Sequence, residues 1–325
     1  MRVRRRKRLP PGQRFLACML MSGLVALALG SVTPAGHVAG TGAQSPVDVP
    51  VQQPFRLTEE IHDLAGVVRK ECARPRLRAG VFVVEPSSGK YVNRSGRESF
   101  AAASMIKIPI LVKLLAALDK REVNADQRLT IRSDLIAGGS GFLQWRPVGS
   151  TVGVKEAAEL MITHSDNTAT NLIIELLGGK DALNEDFLAW GLVETRINNQ
   201  LPDFEGTNKT SPYDLAYLLG KIDQGALISQ ESRQFMYGIM EKVRTRTLLP
   251  MGLGAGARIA HKTGDIATMV GDAGIVTTPA GRRYIIAVQV ERQQNDRRAN
   301  QLVRDVSKIV YQYVTQGIAA PAHVK

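Results

Sequence analysis

A chain of 325 residues, 44% of them apolar, is long enough for one large domain with a buried core behind a leader. Its formal charge of +12 invites a nucleic-acid partner. That partner is excluded by where the charge sits: Arg2, Arg4, Arg5, Arg6, Lys7, Arg8 and Arg14 precede an apolar run with no acid among them, and without these seven the balance is about +5.

The leader reads as an export signal. Residues 1–14 are basic, Phe15–Gly30 is an apolar stretch of signal-peptide length, and Ala28-Leu29-Gly30 is a small-residue cleavage site. The run is short for a membrane span, so cleavage is expected, with an uncleaved membrane anchor as the alternative. The expected location is periplasmic or extracellular. Cys18 lies inside the apolar run, so cleavage leaves Cys72 as the sole thiol and excludes an intramolecular disulfide. Residues 31–54 are rich in Gly, Pro, Ala and Val without periodicity and read as a linker. Residues 55–318 form the folded domain and 319–325 a tail. The histidines are scattered without ligand spacing, so no metal and no cofactor are expected.

The domain opens with a helix near Leu57–Lys70 and a hairpin whose first strand is Arg78–Glu85, turning at Ser87-Ser88-Gly89. From Ser104 to about Lys120, the residues Ile106, Ile110, Leu111, Leu114, Leu115 and Leu118 recur at helical spacing with a wide apolar stripe. Ser104 and Lys107 share a face of that helix, so the lysine can reach the serine oxygen. A serine hydroxyl is a poor nucleophile without a base, and a desolvated lysine near a second cation can lose its charge and act as one. Pro109 stands near the first turn, where a missing N–H does least harm, and the helix N-terminus aims free N–H groups at a developing oxyanion. The plain alternative is an N-cap serine followed by a solvated lysine.

Gly138-Gly139-Ser140-Gly141-Phe142 reads as a cleft lip, with Phe142 stacking on a substrate or covering the core. Helical runs at Val154–Ile162 and Thr168–Leu177 flank Ser165-Asp166-Asn167, which presents its side chains from between two helices. Ser165 suits proton delivery to a leaving group and Asn167 suits a substrate amide. The alternative is an N-cap for the second helix. His164 is read as structural. The helical middle runs to about Gly238. Strands then begin near Arg258, carrying Lys262-Thr263-Gly264, and continue at Gly271–Thr277 and Arg283–Glu291 around the turn Thr278-Pro279-Ala280-Gly281. Lys262 and Thr263 on an edge strand suit a substrate carboxylate, Gly264 would allow a close backbone approach, and the N–H of Asp265 would complete an oxyanion hole with that of Ser104. A last helix covers Asp296–Thr315. Strands at both ends must pair in one sheet, with the helices inserted between and the site in the cleft.

The ordered trio S-x-x-K, S-D-N and K-T-G is the signature of class A β-lactamases and penicillin-binding proteins. From about Leu57 to Gly317 the chain resembles that family, also through GRESFAAASMIKIPIL, HSDNTATNLII and RTLLPMGL ahead of HKTGD. In pattern it is most similar to the stand-alone serine D,D-peptidases that bind penicillin. The resemblance implies an α/β (α+β) fold, an antiparallel sheet flanked by helices with an inserted all-helical subdomain. It also implies acylation of Ser104 by a β-lactam or a D-Ala-D-Ala-like peptidoglycan peptide. A monomer is expected.

The departures from the family separate its branches. Efficient class A β-lactamases carry a deacylating glutamate in an E-x-x-L-N loop. The matching stretch here, TRINNQLPDFEGTNKTSPYDLA from Thr195, is about half a dozen residues shorter and lacks that pattern. Asp203 and Glu205 are its only carboxylates ahead of Ser211-Pro212. Without a placed base a β-lactam adduct should hydrolyse slowly, since such a base typically supplies ~10²–10⁴-fold. The region after K-T-G also lacks the arginine of many relatives, and Arg244 matches the position from which others supply it, with Arg246 as second candidate. The favoured reading is a D,D-carboxypeptidase or transpeptidase, the alternative a class A β-lactamase, and the third a non-catalytic penicillin-binding sensor. The intact Ser104, Lys107, Ser165 and Lys262 argue against the third, because a pure binder needs no proton relay.

Overall fold

The computed structural model describes residues 56–317, all within the unit Val51–Lys325. The expected leader, the linker 31–54 and the tail 319–325 lie outside the described residues.

In chain order the elements are α1 (His62–Glu71), β1 (Arg78–Val84), β2 (Tyr91–Arg94) and the short β3 (Phe100–Ala101). A 3-10 turn, Ala103–Ile106, feeds α2 (Lys107–Asp119). Then follow β4 (Arg128–Thr130), β5 (Thr151–Gly153), α3 (Val154–Thr163), α4 (Asn167–Leu176), α5 (Gly179–Ala189) and β6 (Lys209–Thr210). The chain closes with α6 (Pro212–Asp223), α7 (Gln230–Glu241), β7 (Arg258–Ile266), β8 (Met269–Thr277), β9 (Arg283–Glu291) and α8 (Arg297–Gln316).

Five strands form one antiparallel sheet in the order β2-β1-β9-β8-β7. The N-terminal β1 lies against the C-terminal β9, with Val81 opposite Val288, so both ends of the domain build the sheet and the helical middle is an insertion. Both faces are covered. Alternation along β1 sends Val81 and Val83 into a core with Leu64 and Val68 of α1 and Leu302, Val303, Val306 and Val310 of α8. Phe82 and Val84 enter the opposite core, which is continuous with α2, α4 and α6. Helix α2 is apolar nearly all round, with Ile108, Ile110, Leu111, Val112 and Leu114 all inaccessible, as befits a helix at the centre of a core.

The starts of α1 and of the nucleophile helix differ from the sequence expectation, and β8 begins two residues earlier, at Met269. Residues before His62 run beside β2 rather than continuing α1: Thr58 N–H donates to Gly89 and Ile61 N–H to Tyr91. Backbone pairing to a neighbouring strand is a long-range event that helical periodicity does not register. Ser104 also stands in a 3-10 turn, and the α-helix proper begins at Lys107.

Candidate active site

Ala103, just ahead of Ser104, has φ +42°, and Ser165 has φ +56°. Left-handed backbone at a non-glycine residue is costly and concentrates where a site dictates side-chain direction. Here both serines turn toward each other: the Ser165 hydroxyl donates to Ser104 Oγ at 2.8 Å. Lys107 Nζ donates to Ser165 O at 2.6 Å, to Ser165 Oγ at 3.2 Å and to Asn167 Oδ1 at 2.8 Å. The expected contact from Lys107 to Ser104 is thus relayed through Ser165.

Asn167 lines the cleft and is also bonded within the protein. Its Oδ1 accepts from Lys107 and its Nδ2 donates to Gly138 O at 2.8 Å, so much of the amide is engaged inside the protein. Asp166, between the two, is wholly buried and has three partners. Oδ1 caps α4 by accepting from Ala169 N–H at 2.8 Å, while Oδ2 accepts from Phe142 and Leu143 N–H at 2.6 and 2.9 Å. The N-cap reading and the cleft reading of this tripeptide both hold, on different residues. The lip 138–142 is therefore tied to the start of α4, a link that Ser140 Oγ reinforces by donating to Ser165 O at 2.7 Å. Phe142 is 52% exposed and sets its ring edge-on to His164 at 4.8 Å, so it does not cover the core.

Lys262 and Thr263 lie on β7, the edge strand, where alternate backbone groups have no strand partner. Lys262 is buried, and its ammonium donates to Thr263 O at 2.8 Å. Gly264 also packs against the nucleophile turn. A Cβ there would stand 3.1–3.2 Å from Ala102 O, Ala103 Cβ and Met105 Cγ, so the glycine admits the nucleophile turn. The Asp265 side chain is ion-paired with Arg292, and the residue lines the cleft. Arg244 is exposed, and its N–H donates to Thr163 O. It lines a side depression with His164, Thr245, Lys262 and Thr263 rather than the main cleft.

The main cleft holds about 290 Å³ and is lined by Ser104, Ser140, Ser165, Asn167, Thr263 and Asp265, with Leu201, Pro202, Asp203 and Phe204 from the shortened loop. The electrostatics are dominated by two lysines without access to water. Burial first, and then the charge of Lys262, drive Lys107 well below the usual lysine range, with Asp166 opposing. Burial brings Lys262 down to about 8, with Asp272 opposing. A lysine whose hold on its proton is weakened in this way can, once deprotonated, accept the proton of Ser104 through Ser165.

The loop carboxylates are not placed as free bases. Asp203 Oδ1 accepts from Thr207 N–H and Oγ1 at 3.1 and 2.8 Å, and Oδ2 accepts from Asn208 N–H at 2.7 Å. Glu205 is exposed and does not line the cleft. Asn171, one turn after Asn167, clamps Leu201 by both backbone groups, at 2.9 and 2.7 Å. Asn171, Asp203's role and the buried His261–Asp272 contact of 2.9 Å escaped the sequence reading, since each rests on a long-range or turn partner.

Comparisons with known proteins agree with this geometry. A profile described as the Beta-lactamase enzyme family matches residues 56–314. The structure of PBP-A superposes with a TM-score of 0.79 at 48% identity, covering 82% of this chain and 100% of that one. A second structure is a point mutant of PBP-A as an acyl-enzyme complex with penicillin-G, at 48% identity and TM-score 0.78 over 81% of this chain and 99% of that one. The extended-spectrum β-lactamase PER-1 of Pseudomonas aeruginosa is 25% identical over 86% of this chain and 91% of its own length. A β-lactamase of Streptomyces fradiae is 27% identical over 94% and 97%.

Proposed function

We propose that this chain, which belongs to the Beta-lactamase enzyme family within the class A β-lactamase and penicillin-binding peptidase superfamily, is an exported D,D-carboxypeptidase or transpeptidase acting on peptidoglycan stem peptides. The observation that carries the peptidase reading is the occupied carboxylate of Asp203. The acids lining the cleft are Asp203 and Asp265, the first bonded to its own loop and the second ion-paired with Arg292. Both oxygens of Asp203 are thus engaged away from a β-lactam adduct, and Asp265 is drawn to Arg292 through Oδ1. The 48% identity to PBP-A, against 25% and 27% to the two β-lactamases, supports the same branch.

In the proposed reaction Ser104 Oγ attacks the penultimate carbonyl of the stem peptide, or the lactam carbonyl of a penicillin. Its proton passes through Ser165 to neutral Lys107, and the N–H groups of Ser104 and Asp265 hold the oxyanion. The C–N bond breaks as Ser165 protonates the leaving nitrogen, and Lys107 returns the proton to Ser165. Lys262, Thr263 and, from the side depression, Arg244 hold the substrate carboxylate, while Asn167 shapes the cleft wall through Lys107 and Gly138. Water or an amine then releases the acyl group.

The test is release of free D-alanine from a diacylated Lys-D-Ala-D-Ala peptide. Release by the wild-type chain and none by Ser104→Ala is expected. Silence on this peptide combined with fast penicillin turnover would place the chain with the β-lactamases.

A further inference from the structure

The segment leading into the nucleophile crosses the sheet in a trough. Gly80 of β1, Gln289 of β9, Gly271 of β8 and Gly264 of β7 are paired with one another in a single register row, so all four face the same way. Side chains of the segment 100–105 lie on that row. A Cβ at Gly80 would stand 2.5 Å from the Phe100 ring, one at Gly271 2.7 Å from Met105 Cε, and one at Gly264 3.1 Å from Ala102 O. Three of the four strands thus carry no side chain on this line, and the fourth carries Gln289.

Gln289 is wholly buried. Its Nε2 donates to Ala101 O at 3.1 Å, while its Oε1 has no partner among the described residues. A backbone carbonyl only accepts, so the amide must turn its nitrogen toward Ala101, and its own oxygen is left bare. An unsatisfied buried acceptor costs stability, and an apolar side chain of the same length would avoid that cost. Stability alone therefore does not account for an amide here.

What the amide holds is the entry to the nucleophile turn. Ala101 ends β3, two residues ahead of Ala103 with its φ of +42° and three ahead of Ser104. The next residue, Ala102, donates its N–H to Asn208 O at 2.8 Å and accepts from Met105 N–H at 3.0 Å. Asn208 thus fixes the entry from the loop side and Gln289 fixes it from the sheet side. Left-handed backbone at a residue such as Ala103 persists only where its surroundings over-determine it. We propose that Gln289 is a positioning residue for acyl transfer: its amide, set in the glycine trough, pins Ala101 and so holds the strained turn that aims Ser104 Oγ. This rests on the reading of Ser104 as the nucleophile. Gln289 does not line the cleft, so it acts through the backbone and not on the substrate.

The experiment follows penicilloyl-Ser104 formation by quenching and intact mass over a range of benzylpenicillin concentrations, which separates reversible binding from the acylation step. Gln289→Met keeps the length of the side chain and lacks both the donor and the bare oxygen. Its urea unfolding midpoint should stay near that of the wild-type chain, since one hydrogen bond and one unsatisfied acceptor are lost together. The acylation step should slow about 10- to 100-fold with reversible binding unchanged, the effect of a small misplacement of the attacking oxygen. An acylation step within about twofold of wild type, whatever the midpoint does, or a loss confined to binding, overturns the proposal and leaves a purely structural amide. Gln289→Glu provides a second route should Gln289→Met fail to fold. A buried carboxyl can donate to Ala101 O while protonated and repels it once ionised. The acylation rate of this variant relative to the wild-type chain should therefore fall as pH is raised from roughly 5 to 9, and a flat ratio overturns the proposal. Absence of any adduct on the wild-type chain would instead remove the assignment of Ser104 on which the proposal rests.

Discussion

Lys107 and Lys262 are both cut off from water beside one cleft, and the reaction assigns them opposite charges. Lys107 must be neutral to take a proton, and Lys262 must be charged to hold a carboxylate. The sign of the pH dependence follows. Acylation rises as pH increases through the depressed value of Lys107 and falls as pH passes about 8, where Lys262 loses its proton. A rate-against-pH profile of Ser104 acylation should therefore be bell-shaped, and a plateau continuing past pH 9 would contradict the assignment of Lys262 (the bound is roughly one unit above that value). Ser104→Ala should abolish covalent labelling by penicillin in the intact mass, and labelling that persists would dismiss Ser104 as nucleophile. At this scale the sequence was highly legible: Ser104, Lys107, Ser165 and Lys262 converge as the three motifs imply. The internal contacts of Gly264 and Asn167 were not. A glycine packed on Ala102 and Met105, and an amide bridging Lys107 and Gly138, are set by neighbours far along the chain.

Among the elements, the lip 138–142 and the loop 195–210 are both tied down by hydrogen bonds to α4. Gly141 has φ +96°, and a Cβ on it would collide with the carboxyl carbon of Asp166. Gly141→Ala should consequently cost about 1–3 kcal/mol or more in denaturant unfolding and slow acylation, because the lip positions Ser165 through Asp166 and Ser140. Unchanged stability would mean that the lip is not pinned as described. In the loop, Leu201 is clamped by Asn171 and turns an apolar side toward the cleft. A carboxylate placed there by Leu201→Glu should shorten the lifetime of a penicilloyl adduct, with ~10²–10⁴-fold as the scale of general-base help. An unaltered lifetime would show that the missing carboxylate is not what limits deacylation. Periodicity located α3, α4 and α8 to within a residue or so. It missed the two-residue β3 and β6, which are too short to carry a period and exist through each other.

Over the whole molecule, the cleft lies where the edge of a sheet built from both chain ends meets the inserted helices. Helix α2 joins the two: its N-terminal turn carries Ser104 against β7, and its body fills the larger core. Leu114→Ala, at a fully inaccessible position, should cost about 2–5 kcal/mol by thermal or denaturant unfolding, and a near-zero change would refute the central place given to α2. This architecture was foreseeable because strands at both ends of a chain must share a sheet. The Asp203 and Asp272 contacts were not, because turn and cross-strand partners carry no mark in local composition. The central claim is that the cleft has a nucleophile and a relay but no free base for deacylating a β-lactam adduct. It is tested most directly by following the intact mass of the soluble domain after mixing with benzylpenicillin. A penicilloyl adduct on Ser104 that persists for hours is predicted, and rapid return to the unmodified mass with hydrolysed penicillin accumulating would contradict the account.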